Sequence, residues 1–252
     1  MRYFVKFGYE GFRFSGFQRG NGDNSVEDSI LRALVKNDIH SDIRCAARTD
    51  RDVSALENVF AIDTDKPPEA VLGMLNSTCD GIFFTSFAMV PKNANPRHCL
   101  RKTYSYYLRD VGNLDLLEDQ ILKFQGTHDF RNFSRSDARN PVRTIDRIWM
   151  ERISAREISV NFTARSFIWM QIRNIVGFSL ESMNLGFIRE PFPDTAWSRK
   201  PASPVPLILK SIEYEGLEFP KIHFRSILRH YQRDRDRRWA TFMISDAIAD
   251  FL

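Results

Sequence analysis

Two stretches of this chain run through the same order of elements, and that doubling limits its fold more than any other feature. Arg2–Tyr9 alternates, with Tyr3, Val5, Phe7 and Tyr9 on one face and Arg2, Phe4, Lys6 and Gly8 on the other, which predicts a strand. Ser25 precedes Val26, Glu27 and Asp28, an N-cap followed by acids in the first turn. Val26, Ile30 and Leu34 recur at helical spacing, so Ser25–Lys36 is predicted helical. Asp42–Ala47 and Ala55–Thr64 read as strands joined by Arg48–Ser54. Pro67 and Pro68 open a second helix carrying Val71, Leu72 and Leu75, and Gly81–Val90 is a buried strand. This is the β-α-β-β-α-β order of a ferredoxin-like module.

Pro91–Pro96 is a polar break with two prolines and two asparagines, and it reads as a boundary between residues 1–96 and 97–252. The order then returns. Thr103–Arg109 is strand-like, and Asn113 caps a helix with Leu114, Leu117 and Ile121 that stops at Gly126. Thr144–Arg152 and Glu157–Thr163 are strands, Phe167–Met183 a long apolar helix, Pro191–Pro206 a connection and Leu207–Tyr214 a last strand. The expected class is therefore α+β, with two ferredoxin-like domains, antiparallel sheets joined edge to edge and a cleft between them.

At 252 residues, with 43% hydrophobic and 27% charged residues, the chain is outside the disordered, collagen-like and disulfide-scaffold classes. Its longest apolar stretch, Ile82–Val90, is interrupted by Thr85 and Ser86 and is too short to span a bilayer. The opening MRYFVKFGYE has no apolar signal core, so a cytoplasmic protein without a membrane partner is expected. Cys45, Cys79 and Cys99 are far apart, and the five histidines form no metal-binding spacing. Reduced thiols and no bound metal are expected, and no phosphate-loop or dinucleotide motif calls for a cofactor. The net charge of +4 and a pI near 9.0 favour a polyanionic partner.

Three segments could carry chemistry. Arg48-Thr49-Asp50 follows a strand, where a rigid scaffold presents a reactive group on a loop, and flanking arginines keep a carboxylate ionised. Such an anion can serve as nucleophile or base, and the same three residues also suit a surface salt-bridge turn. Tyr104 and Tyr106 share a strand face just after Arg97, Arg101 and Lys102, and basic residues interleaved with aromatics suit stacking on a splayed-out base. Ser166–Gly177 is strongly apolar with Arg173 inside it, so that arginine either emerges at a rim or pairs with a carboxylate across a cleft.

In order, the chain carries FQR (Phe17–Arg19), SVED (Ser25–Asp28), RTD (Arg48–Asp50), RKTYSYYL (Arg101–Leu108), GTHDFRNFS (Gly126–Ser134), RTI (Arg143–Ile145), SFIWMQIRNIVG (Ser166–Gly177) and PLILKSIEYE (Pro206–Glu215). Together they resemble the tRNA pseudouridine synthase A family from Tyr3 to about Gly216. The resemblance implies two ferredoxin-like halves with the active site between them, tRNA as partner, a homodimer, no cofactor and isomerisation of uridine in the anticodon stem-loop. It implies that Asp50 is the essential aspartate, Arg173 its charge partner and Tyr104 the ring under the target base. Arg48 would lie near the flipped nucleotide and Leu207 would wall the pocket, with Arg19, Arg97 and Arg101 on the RNA backbone.

The chain departs from the family pattern at Asp52, where a glycine is usual, at Ser54, where a histidine is usual, and at Pro206, where a glycine is usual. Asp52 adds charge near Asp50 and restricts the backbone. These departures leave open an alternative, an RNA-binding protein of the same fold with a lapsed active site. Asp50 with Asp52 also admits a metal-dependent nuclease. Beyond Gly216, Arg225, Arg229, Arg233, Arg235, Arg237 and Arg238 form either a solvated face of mixed charge or a phosphate-contacting one.

Overall fold

The computed structural model describes residues 1–252 except 21, 23, 40–41, 135–139, 193–199, 221, 223–228, 230, 236, 239–243 and 245–252. The first half contributes β1 (Arg2–Tyr9), α1 (Val26–Lys36), β2 (Arg44–Cys45), β3 (Ser54–Asp63), α2 (Pro68–Thr78) and β4 (Ile82–Val90). The second contributes β5 (Arg101–Arg109), α3 (Leu114–Leu122), β6 (Gly126–Asp129), β7 (Val142–Ile145), β8 (Arg147–Arg152), β9 (Glu157–Ala164), α4 (Gln171–Leu185) and β10 (Leu207–Glu213). Side-chain caps start two of the helices. Ser25 Oγ accepts from the Asp28 N–H at 3.0 Å, and Asn113 Oδ1 accepts from Leu116 at 3.0 Å.

The main sheet runs β4-β1-β3-β10-β5-β9-β8, with short β2 on β3. Taken half by half, β4-β1-β3-β2 and β10-β5-β9-β8 follow the same ferredoxin-like strand order. Neighbours within each half pair antiparallel. The halves join where β10 meets β3 in parallel, with Ile208 opposite Ser54 and Leu209 opposite Ala55. One continuous core holds Phe7 and Phe60 of the first half together with Val160 and Phe162 of the second. The fold is thus α+β with a mostly antiparallel sheet, as expected.

Three elements differ from the sequence reading. The strand expected over Asp42–Ala47 shrinks to Arg44–Cys45, because Ala47 bonds the side chain of Asn58 and leaves the ladder. The expected Thr144–Arg152 strand breaks at Asp146: β7 turns away to pair with β6 in a separate two-stranded sheet, while β8 stays on β9. The long helix starts at Gln171 rather than Phe167, since Met170 adopts a left-handed conformation with φ 64°. Phe4, on the polar side of the β1 alternation, is buried because Tyr214 lies on it with ring centroids 5.3 Å apart.

The chain after β10 runs back over that same side of β1. The Lys6 ammonium sits 4.9 Å above the Phe219 ring, Ile222 donates to the Thr85 carbonyl at 2.9 Å, and Tyr231 meets Phe83 edge-on at 5.3 Å. Arg238 pairs with Glu10 at 2.6 Å and covers the Phe12 ring.

Candidate functional site

The loop after β2 is fixed at both ends before its aspartate is reached. Asn58, fully buried, donates to the Ala47 carbonyl at 3.0 Å and accepts from the Ala47 N–H at 3.2 Å. Lys102, from the other half, donates to the Ala46 carbonyl at 2.6 Å. Tyr9 Oη and Thr49 Oγ1 share a hydrogen bond of 2.8 Å. The chain then turns sharply, with the Val53 N–H on the Asp50 carbonyl at 3.3 Å and Asp52 at φ 67°. A left-handed residue explains the glycine usual at position 52, and aspartate is among the side chains that tolerate it best. Gly11 packs beneath this turn so closely that a Cβ would lie 2.3 Å from the Val53 carbonyl oxygen, which leaves room for glycine alone.

The facing wall comes from the start of α4. Gln171 pins the preceding turn in both directions: its N–H donates to the Ile168 carbonyl at 3.1 Å, and its Oε1 accepts from the Ile168 N–H at 2.9 Å. Arg173 is therefore in the first turn of α4 and not in mid-helix. Its Nη1 donates to Asp50 Oδ2 at 3.0 Å, and its Nε donates to the Ala202 carbonyl at 2.9 Å. Trp169 Nε1 donates to Asp50 Oδ1 at 2.9 Å. Gly177 lets the 200–202 segment approach α4, since a Cβ there would fall 2.0 Å from the Lys200 carbonyl oxygen.

Between the two walls lies a cleft of about 1120 Å³ that Arg48, Asp50, Tyr104, Trp169, Arg173 and Leu207 help to line. Tyr104 is buried and meets Phe167 edge-on, with centroids 5.4 Å apart. Burial first, and the negative charge of Asp50 second, push its phenol above the ordinary tyrosine range, so the ring stays neutral. Burial also lowers the pKa of Lys102. A carboxylate held on both oxygens, beside an uncharged ring and an apolar wall, can present charge to a planar base drawn out of a stack.

The residues picked out from sequence fall into two groups. Asp50, Arg173, Tyr104, Leu207, Arg48 and Arg97 all line the cleft, and Arg48 donates to Gln18 Oε1 at 3.2 Å. Arg19 and Arg101 are not among its lining residues. The Arg19 N–H donates to Glu27, and the Arg101 guanidinium pairs with Glu213 across β5 and β10 at 2.7 Å. Trp169 and the clamp made by Lys102 went unrecognised. The four-residue spacing of Trp169 and Arg173 was the available signal, although a turn and not a helix brings them together. Among the described residues, no group of three His, Cys, Asp or Glu could hold a metal ion, so Asp50 and Asp52 have no third acid beside them.

A sequence profile described as tRNA pseudouridine synthase matches residues 121–215. Proteins named tRNA pseudouridine synthase A match over nearly the full chain. The one from Thermoplasma acidophilum is 48% identical over 87% of this chain and 86% of its own length. That from Picrophilus torridus is 41% identical over 90% and 87%. That from Pyrococcus abyssi is 37% identical over 95% and 94%. The chain belongs to the tRNA pseudouridine synthase A family.

Proposed function

We propose that this chain isomerises uridine to pseudouridine in the anticodon stem-loop of tRNA, with Asp50 as the reacting carboxylate. The observation that carries this reading is the Asp50 carboxylate held by Arg173 at 3.0 Å inside the cleft, beside Tyr104 and Leu207. The reaction breaks the bond from ribose C1′ to uracil N1, turns the base and joins C1′ to C5, while the C5 proton is lost and N1 gains one. Uridine and pseudouridine are isomers, so no oxidant, reductant or energy source enters the balance. Asp50 acts on the ribose or the uracil, Arg173 orients it and holds its charge, and Tyr104 supports the detached base. Arg48 and Arg97 serve the flipped nucleotide and its backbone, and Arg19 and Arg101 meet RNA farther from the reacting atoms.

Residues 1–96 and 97–252 are read as two units, supported by the equal strand order of the two halves. A cytoplasmic homodimer completes the reading. Three free cysteines, Cys45, Cys79 and Cys99, support a reducing compartment, and among the described residues no helix is long and apolar enough to cross a membrane. The test is to incubate the protein with unmodified tRNA and map pseudouridine by position. New pseudouridine confined to the anticodon stem-loop is expected. Tight tRNA binding without any conversion would favour the binding protein with a lapsed site.

A further inference from the structure

Both oxygens of the Asp50 carboxylate are occupied, by two donors of different kinds. Arg173 donates to Oδ2 as a charged group, is largely buried, and is anchored a second time on the Ala202 carbonyl. Trp169 donates to Oδ1 through a neutral indole, and half of that residue remains exposed at the cleft. A carboxylate oxygen that accepts one N–H bond is held in orientation and keeps a further lone pair with which to react. Both bonds end on an ionised acceptor and are charge-assisted, so each can hold the carboxylate plane.

We propose that Trp169 is a positioning residue that, with Arg173, fixes the plane of the Asp50 carboxylate for reaction with the incoming nucleotide. This rests on the reading of Asp50 as the reacting group. The local backbone suits the task. Gln171 pins the turn from Ile168 to the first residue of α4, and the left-handed Met170 separates Trp169 from the helix. The backbone beneath the indole is thereby held. Arg173 holds the other oxygen of the same carboxylate.

Two variants separate the donor from the ring. Trp169→Phe keeps an aromatic ring and loses the N–H, whereas Trp169→His keeps a donor on a smaller ring. In single-turnover assays on unmodified tRNA, Trp169→Phe is expected to lower the saturating rate about tenfold while half-saturation changes less than about threefold, on the order of one lost hydrogen bond. Trp169→His is expected to recover at least about a third of the parent rate. A parent-like rate in Trp169→Phe, or equal losses in both variants, would overturn the proposal. Asp50→Asn is run beside them. If it remains active, the reading of Asp50 fails; if it is inactive while Trp169→Phe matches the parent, only the role of Trp169 fails.

Discussion

Arg173 and Arg238 each reach across the chain to a carboxylate, and their settings differ. Arg173 meets Asp50 inside the cleft with both side chains mostly buried, at 14% and 24% exposure. Arg238 meets Glu10 on the outside of the sheet, where its own side chain is 47% exposed and Asp234 competes for it at 2.6 Å. In the first pair the low local dielectric strengthens the attraction, and a second anchor on Ala202 removes the freedom to fluctuate. In the second, solvent screens the charge and the ring of Phe12 shares the contact. An ion pair between remote segments is therefore no sign of chemistry by itself. Glu10 is 12% exposed and lines a cavity of its own, so what separates the two is the burial of Arg173 and its second anchor on Ala202.

Breaking the inner pair is expected to have the largest effect. Arg173→Met leaves Asp50 without its cation, and the isomerisation rate should fall by ~100-fold or more while the fold persists. A rate within about threefold of the parent would make the two pairs equivalent. Next comes the ring that shares the cleft. Tyr104→Ala should lower the single-turnover rate by roughly 10- to 100-fold, as base stacking is lost, whereas Tyr104→Phe should stay within a few-fold. Equal losses in both would assign the effect to the hydroxyl.

The outer pair should touch stability more than rate. Arg238→Ala is expected to cost about 1 kcal/mol, read as a small drop in thermal midpoint, with the saturating rate unchanged. Replacing the exposed Arg229 and Arg233 by Ala should weaken tRNA binding and flatten its salt dependence, again without changing that rate. An unchanged salt slope would mean that the tail charges are only a solvated face. Arg225 lies outside the described residues. The smallest effect belongs to Asp52→Gly, which removes a side chain from a left-handed position. It should raise stability by about 0.5 kcal/mol in denaturant unfolding.

The same contrast explains what could be read from the residues alone. Alternation in Arg2–Tyr9 and the caps at Ser25 and Asn113 are local signals, and the elements they yielded start within a residue of those observed, although the helix after Asn113 ends at Leu122, short of Gly126. The start of α4 was misread because an apolar run is compatible with a helix or a turn, and only the left-handed Met170 and the Gln171 side chain decide between them. Asp50, Tyr104 and Arg173 were reached through ordered motifs, since nothing in their spacing indicates that β3 and β10 draw the two halves together. Trp169 was passed over as one more apolar residue, because its N–H acquires a partner only across the cleft. The burial of Phe4 depends on Tyr214, some two hundred positions away, which no window around β1 contains.

The decisive comparison is between the parent and Asp50→Asn, each assayed on unmodified tRNA for pseudouridine formed and for tRNA bound. Asparagine preserves the size of the side chain and an oxygen to accept from Trp169 or Arg173, but it is neither an anion nor a competent nucleophile. Conversion should fall below detection while affinity stays within a few-fold, because phosphate contacts by Arg and Lys supply most of the binding. Conversion by Asp50→Asn at close to the parent rate would contradict the assignment of Asp50 as the reacting carboxylate.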